Sequence, residues 1–374
     1  MIERITICGL GLIGGSLAMA WKRARPTLHL TAFDRRDVLA QARTLGIVDA
    51  TTEDIAEAVA EADLVVLATP LPGILYLLEE IGPHLKPGTR VTDVCGVKRP
   101  IMAHAREMLP ETVFFIGGHP MAGSEQRGLA NADPFLFENA TYVLCPPSSY
   151  SATTLQQEHS DLLELIQLLG ARVLLLDAER HDAIAAAVSH LPQLLAVLLV
   201  NTAAERSKGD ATFFQLAAGG FRDMTRIASS PFDLWRDVLF ANEGPLLDTL
   251  GHFAANLQRL RNRLIEEDAQ ALEAAFELAR QTRARIPRDT KGFLHPLADI
   301  YVRIEDRPGA LYRITRALYE ADLNIQDIEL LKVREGTGGT FRLGFATAID
   351  AERACQVLRQ AGIEAFRPDH ENHS

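Results

Sequence analysis

The chain has 374 residues, which at roughly 100–200 residues per domain is room for two or three domains with sizeable cores. With 47% hydrophobic and 23% charged residues it has the make-up of a soluble globular protein. Its formal net charge of -11 argues against a nucleic-acid binder and leaves no long-range pull on an anionic substrate, so any anion must be held by a few local Arg or Lys side chains.

Through about residue 178, short apolar runs alternate with helical stretches: Ile5–Ile7, Leu30–Phe33, Leu64–Ala68, Val91–Val94, Val113–Ile116, Tyr142–Leu144 and Val173–Leu176. This alternation predicts an α/β, Rossmann-like domain over 1–178, a mainly parallel sheet with crossover helices. After the first run, Gly9-Leu10-Gly11-Leu12-Ile13-Gly14 opens a helix over Gly15–Arg23. Glycines there permit a tight turn and close approach of a pyrophosphate, whose charge meets free N–H groups and the positive helix end. Asp34 ends the second run 20 positions after Gly14, where a carboxylate holds the adenosine ribose hydroxyls. The pair predicts a dinucleotide site, with NAD favoured because Asp34 repels a 2′-phosphate, although Arg35 and Arg36 leave NADP open. Thr69-Pro70, after the third run, is expected to line the same cleft.

Val113–Ile116 reads as a strand ended by Gly117-Gly118, which places His119 just beyond a strand's carboxyl end, the side where ligands sit in open α/β sheets. His119 is therefore a candidate acid or base. From about 179 to 290 strand signals vanish and Ala/Leu-rich segments with helical spacing follow, at Ala183–Glu205, Phe232–Leu264 and Glu266–Arg285, predicting an all-helical domain. The most apolar of these, Ile184–Val200, is interrupted by Ser189, His190, Pro192 and Gln193, so no membrane span is expected. Met1-Ile2-Glu3-Arg4 leads straight into a strand without an export signal. Arg222 and Arg226 are four apart and share one face if their segment is helical, aiming two guanidinium forks at one place, with Gly219 just before them.

Residues 286–289 and 292–296 read as a linker. A third domain over 298–374 has the order strand, helix, strand, strand, helix, strand, which fits a ferredoxin-like fold. Cys8, Cys95, Cys145 and Cys355 lack C-x-x-C spacing, so neither a disulfide framework nor a metal site is expected, and reduced thiols point to a cytoplasmic protein.

Several motifs in order resemble the prephenate and arogenate dehydrogenases of tyrosine biosynthesis: Gly9–Gly14, Asp93-Val94-Cys95-Gly96-Val97-Lys98, Gly118–Glu125, His181-Asp182, Ser189-His190-Leu191-Pro192, and Gly219–Arg226 followed by Trp235-Arg236. The resemblance implies NAD-dependent oxidation and decarboxylation of prephenate, or of arogenate. In this reading His119 takes the hydrogen bond or proton of the ring hydroxyl and Arg226 grips the ring carboxylate. Ser124, Glu125, His190, Gln193, Gly219, Arg222 and Trp235 line the substrate cavity, and Asp93, Gly96 and Lys98 join the cofactor site. It also implies a homodimer, with Trp235 reaching the partner's site.

Two positions depart from the family pattern. Gly96 stands where serine is frequent, and Gln193 where a second histidine is frequent. The last domain resembles an ACT domain through Asp306-Arg307-Pro308-Gly309-Ala310-Leu311 and Asn324-Ile325, which implies an amino-acid effector, L-tyrosine, bound by Asp306, Pro308, Gly309, Ala310, Leu311, Asn324 and Ile325. A 3-hydroxyacid dehydrogenase shares the two-domain order but uses a lysine in its helical domain, and Ala183–Val200 has none. An imine reductase would not need the His119 segment or the Arg pair. An amino-acid sensor with a retired cofactor domain would lack chemistry altogether.

Overall fold

The computed structural model describes residues 1–123, 126–210, 212–285, 297–305, 307–334 and 338–367, the last four of the fifth segment by backbone only. Two compact units form, Met1–Glu273 and Ala274–Ser374. The first is built on an eight-stranded sheet of β1 (Arg4–Cys8), β2 (His29–Phe33), β3 (Ala50–Thr52), β4 (Leu64–Leu67), β5 (Arg90–Asp93), β6 (Phe114–Pro120), β7 (Thr141–Cys145) and β8 (Arg172–Leu175), in the order β3-β2-β1-β4-β5-β6-β7-β8. All neighbours are parallel except β6 and β7. A strand covered by helices on both faces must be apolar at every position, and Leu64-Val65-Val66-Leu67 is buried throughout. Ile7, Leu17, Trp21 and Leu30 form the core on one face. Val65, Leu67, Ile74, Leu78 and Ile101 form it on the other.

Three expectations need correction. β3 is a three-residue edge strand too short and too polar to register as an apolar run. Gly117 and Gly118 do not end their strand: β6 runs on to Pro120, and His119 pairs opposite Val143 of β7. The glycines are there for space, since a Cβ on Gly118 would stand 2.4 Å from the Asp93 carbonyl oxygen and one on Gly117 2.9 Å from Lys98 Cδ. Phe232–Leu264, read as one segment of helical spacing, is two helices, Phe232–Ala241 and Glu243–Ile265, parted at the buried Asn242.

The other helices between β8 and residue 285 are Ala178–Ala185, a π turn over Ala186–His190, Leu191–Ser207, Thr212–Gln215, Gly219–Thr225, a 3₁₀ turn over Arg226–Ser229, and Ala269–Arg285. Ala178–Ser207 is continuous, so Ser189, His190, Pro192 and Gln193 do not interrupt it. By length and composition alone it could cross a membrane: an 18-residue window within it has mean hydropathy 2.0, and 28% of that window is buried. Its polar residues explain the reading against a span: His181, Asp182, His190 and Gln193 are buried against the rest of the first unit, while Val188 and Leu198 face outward. Phe240 and Leu257 on the following helices are exposed as well.

Besides the later turns of the helix Ala269–Arg285, the second unit contains β9 (Ala298–Ile304), a helix over Ala310–Glu320, β10 (Asp327–Arg334), β11 (Gly338–Phe345), a helix over Ala348–Gln360 and β12 (Glu364–Phe366). Its sheet is antiparallel, in the order β10-β11-β9-β12. Ile300, Val302, Ile314, Leu318, Leu343, Phe345 and Leu358 fill its core.

Candidate active site

β1 turns into the helix Leu12–Ala24 through Gly9, whose φ of 99° only glycine adopts freely. A Cβ on Gly14 would lie 1.9 Å from the Gly9 carbonyl oxygen, so the turn can close only with hydrogen at that position. No side chain caps the helix at Gly11, where an added Cβ would meet nothing within 4 Å. The first-turn N–H groups of Leu12 and Ile13 thus stand at an open, positive helix end. Asp34 follows β2 and accepts from Leu10 N at 2.6 Å and Arg35 N at 2.6 Å, which fixes its carboxylate beside the turn with lone pairs to spare. Arg35 is exposed, 3.8 Å from Asp37. After β4, the Thr69 hydroxyl is buried without a partner and Pro70 begins the helix Leu71–Ile81. These residues offer what a dinucleotide needs: a phosphate cradle, a ribose acceptor and an unsatisfied hydroxyl in the adjoining loop.

Asp93 and Lys98, expected in the cofactor site, are both fully buried. Lys98 Nζ is ion-paired to Asp93 and donates to the Gly118 carbonyl at 2.6 Å, while Gly118 N and Cys95 N donate to the Asp93 carboxylate at 3.1 and 2.8 Å. Burial raises the Asp93 carboxyl, and the Lys98 ammonium with the two N–H groups pulls it back. A buried charge persists only when paired and hydrogen-bonded, so this pair is a strut that ties the 93–98 loop to β6. Gly96 in that loop faces His119: a Cβ there would be 3.8 Å from His119 Nε2.

His119 is held by its other nitrogen, since Nδ1 lies 2.8 Å from His181 Nε2. His181 Nδ1 is 2.8 Å from Asp182 Oδ1, and the Asp182 carboxylate also accepts from Lys98 N at 2.7 Å and Arg99 N at 2.9 Å. Burial, then the charge of Lys98, then His181 and His190, holds the His119 imidazole well below the ordinary 6.5 and therefore neutral. Burial likewise brings His190 down to about 4. Asn242 donates to the Asp182 carbonyl at 2.8 Å and lies 3.2 Å from His190 Nδ1, and the Trp235 ring meets His190 edge-on at 6.1 Å between centroids. Gln193 Nε2 donates to the Ile227 carbonyl at 3.0 Å, while its Oε1 is buried and unpartnered.

The structure thus gathers His119, Gly96, His190 and Trp235 at the carboxyl ends of β5 and β6 and on the helices packed there. Arg222 and Arg226 are exposed and do not share one regular helix, because the α-helix stops at Thr225 and Arg226 opens the 3₁₀ turn. Gly219 begins that short helix. Ser124 and Glu125 lie outside the described residues, as does Asp306. His181 was expected to have a site role of unspecified kind through the His-Asp motif, while Asp182 and Asn242 were given none. The His-Asp dipeptide was a visible signal for the first two, whereas Asn242, a single amide inside a helical pattern, gave none.

In the second unit, Gly309 (φ 86°) starts the helix Ala310–Glu320. With Ala310 and Leu311 it lines a cavity of about 390 Å³, next to one of about 780 Å³ that includes Arg303, Arg307 and Arg313. Pro308, Asn324 and Ile325 line neither cavity. Ile325 packs, partly buried, on the small core.

Two family models match the first unit's two parts: prephenate dehydrogenase, nucleotide-binding domain, over residues 17–175, and prephenate dehydrogenase, dimerization domain, over residues 177–278. The prephenate dehydrogenase of Bacillus subtilis is 34% identical over 372 residues, 99% of each chain. The chain belongs to the prephenate dehydrogenase family. The prephenate dehydrogenase of Lactococcus lactis is 35% identical over 96% of this chain and 98% of its own. Among solved structures, the prephenate dehydrogenase of Aquifex aeolicus, in complex with hydroxyphenyl propionate and NAD⁺, matches with a TM-score of 0.70 at 26% identity, covering 77% of this chain and 99% of that one. Synechocystis arogenate dehydrogenase matches at 0.66 and 30%, covering 76% and 100%. For a prephenate dehydrogenase-family chain, a Rossmann-like domain followed by a helical dimerisation domain is the expected order, and it is the order found.

Proposed function

We propose that this chain catalyses the NAD⁺-dependent oxidative decarboxylation of prephenate to 4-hydroxyphenylpyruvate and CO₂. The observation that carries the reading is His119, a neutral imidazole anchored through Nδ1 and turned through Nε2 toward the 93–98 loop at the cofactor side of the sheet, in a chain of this family. NAD⁺, bound along Gly9–Gly14 and Asp34, supplies the hydride acceptor for ring carbon C4. His119 Nε2 accepts the proton of the C4 hydroxyl as the carbonyl forms, a task worth roughly 10²–10⁴ in rate. Arg226 holds the ring carboxylate until it leaves as CO₂, and aromatisation drives the step. Ser124, Glu125, His190, Gly219, Arg222 and Trp235 complete the cavity.

One observation favours arogenate as a second substrate. The Gln193 amide is oriented by the Ile227 carbonyl so that Oε1 is left to accept, which suits an α-ammonium donor better than a keto oxygen. Domains over 1–178, 179–290 and 298–374 follow from this reading. So does a cytoplasmic homodimer whose partner covers the outward Val188, Leu198, Phe240 and Leu257. The element order and small antiparallel sheet of the second unit support an ACT-like domain, with L-tyrosine as effector at the Gly309–Leu311 turn.

The test is one steady-state assay crossing prephenate and arogenate with NAD⁺ and NADP⁺, with and without tyrosine. Prephenate with NAD⁺ is expected to be turned over and tyrosine to slow it, and no reduced nicotinamide with either ring substrate refutes the reading. His119→Asn is expected to lower kcat by roughly 10²–10⁴ with little change in KM, and an unchanged rate removes His119 from the chemistry.

A further inference from the structure

We propose that His181 and Asp182 are positioning residues that fix which nitrogen of His119 carries the proton and give the proton taken from substrate a second ring on which to settle. The inference rests on the reading of His119 as proton acceptor and adds what holds it in that state.

The argument is a count of donors and acceptors along a buried line. Asp182 is fully buried and accepts two backbone N–H groups, Lys98 N and Arg99 N, so its carboxylate is an acceptor throughout. His181 Nδ1, 2.8 Å from Oδ1, must then be the donor of that contact. In a neutral His181 the remaining nitrogen, Nε2, has a lone pair and no hydrogen. It sits 2.8 Å from His119 Nδ1, so the hydrogen between the two rings belongs to His119 Nδ1. That leaves His119 Nε2 bare, on the ring edge of Cε1 and Nε2 that faces Gly96. Because a glycine at 96 offers no hydroxyl to steer this ring, orientation has to come from the Nδ1 side.

The proton balance follows the same line. When His119 Nε2 takes the C4 hydroxyl proton, the Nδ1 hydrogen can pass to His181 Nε2, leaving His119 neutral and His181 an imidazolium against the Asp182 carboxylate. No electron pair leaves the line and no other reactant is needed. The charged and titratable groups facing His119 are Lys98 from the loop after β5, already paired to Asp93, His181 from the helix Ala178–Ala185, and His190 from the π turn. Of these, His181 is the one hydrogen-bonded to His119, and it is itself bonded to a carboxylate.

The competing arrangement, a His181 imidazolium donating to His119 Nδ1, would make His119 Nε2 a donor and unfit as a base. Nitrogen-15 histidine spectra of the full-length protein at pH 7.5, assigned with His119→Asn and His181→Phe, decide between them without turnover. Expected is His119 protonated at Nδ1 and bare at Nε2, with that preference lost in His181→Phe. A His119 protonated at Nε2, or a tautomer indifferent to His181→Phe, overturns the proposal.

In kinetics, His181→Phe is expected to lower kcat on the order of 10²-fold with prephenate KM within about twofold, and to shift the acid limb of the kcat profile. His181→Gln, whose amide oxygen can accept from Nδ1, is expected to restore at least about a tenfold part of the loss. Loss without rescue and without a moved limb assigns His181 a structural role and overturns the proposal. An active His119→Asn sinks the function reading itself, whereas an inactive His119→Asn beside a fully active His181→Phe sinks only this inference.

Discussion

The two sides of the site are built in opposite ways. On the sheet side, Asp93, Lys98, Asp182 and His181 are sealed in a hydrogen-bonded line that ends at His119, every member held by another residue of the same chain. On the helix side, Gly219–Thr225 and Phe232–Ala241 contain no buried residue, and Arg222 and Arg226 are exposed. The contrast teaches that the half to which the proposed function gives the proton is pre-set within one chain, whereas the half to which it gives the ring carboxylate sits on elements whose apolar surroundings a second copy would cover. Under that proposal, rigidity falls where a proton would travel a fixed path, and freedom where a substrate would enter.

The sharpest way to break this contrast is Lys98→Met, which keeps the stem but strands the Asp93 carboxylate in the core. It is expected to cost about 3–5 kcal/mol of stability, read as the midpoint of urea unfolding. An unmoved midpoint means the sheet side is not held together by its buried charges.

Next in size is acid. His190 has a folded value of about 4 against an ordinary 6.5, so the unfolded chain binds the extra proton between those values. Its contribution is complete above pH 6.5, is lost as pH falls, and is gone at about pH 4, a loss of up to roughly 3 kcal/mol, with His119 acting in the same direction. Urea midpoints at pH 7.5 and 4.5 should differ accordingly, and His190→Asn should flatten the difference. A slope indifferent to that substitution would place the acid sensitivity elsewhere.

Smallest in size and most specific in function is Arg226→Gln on the open side. The lost charge-assisted contact should raise prephenate KM by the equivalent of about 1.5–3 kcal/mol. A wild-type KM contradicts the carboxylate grip.

Much of the fold was legible because its signals are local. Apolar runs such as Leu64–Leu67 and the Gly9–Gly14 turn with Asp34 carry their structural reasons within a few residues. What escaped was non-local. Nothing adjacent to Lys98 announces that its ammonium will be buried under Gly118, and only the assembled sheet shows that Gly117 and Gly118 are clearances rather than strand ends. The His119–His181 contact joins residues 62 apart in sequence, so the dipeptide could be noticed but its partner could not. The break at Asn242 has the same character, since its amide answers to Asp182 and His190 rather than to its own helix.

The π turn at Ala186–His190 acts as a spacer in angle rather than length. An ordinary helix advances about 100° per residue, and a turn of this kind absorbs one residue without carrying the rest of the rod around with it. Take one residue out of the plain helix beyond that turn and the cylinder past the cut would swing by about a quarter of a revolution, whereas one residue taken out of the turn itself would leave an ordinary helix with Gln193 and its followers still facing as they do. The turn is the one place on this rod where the chain can lose a residue and keep the same stripe looking inward.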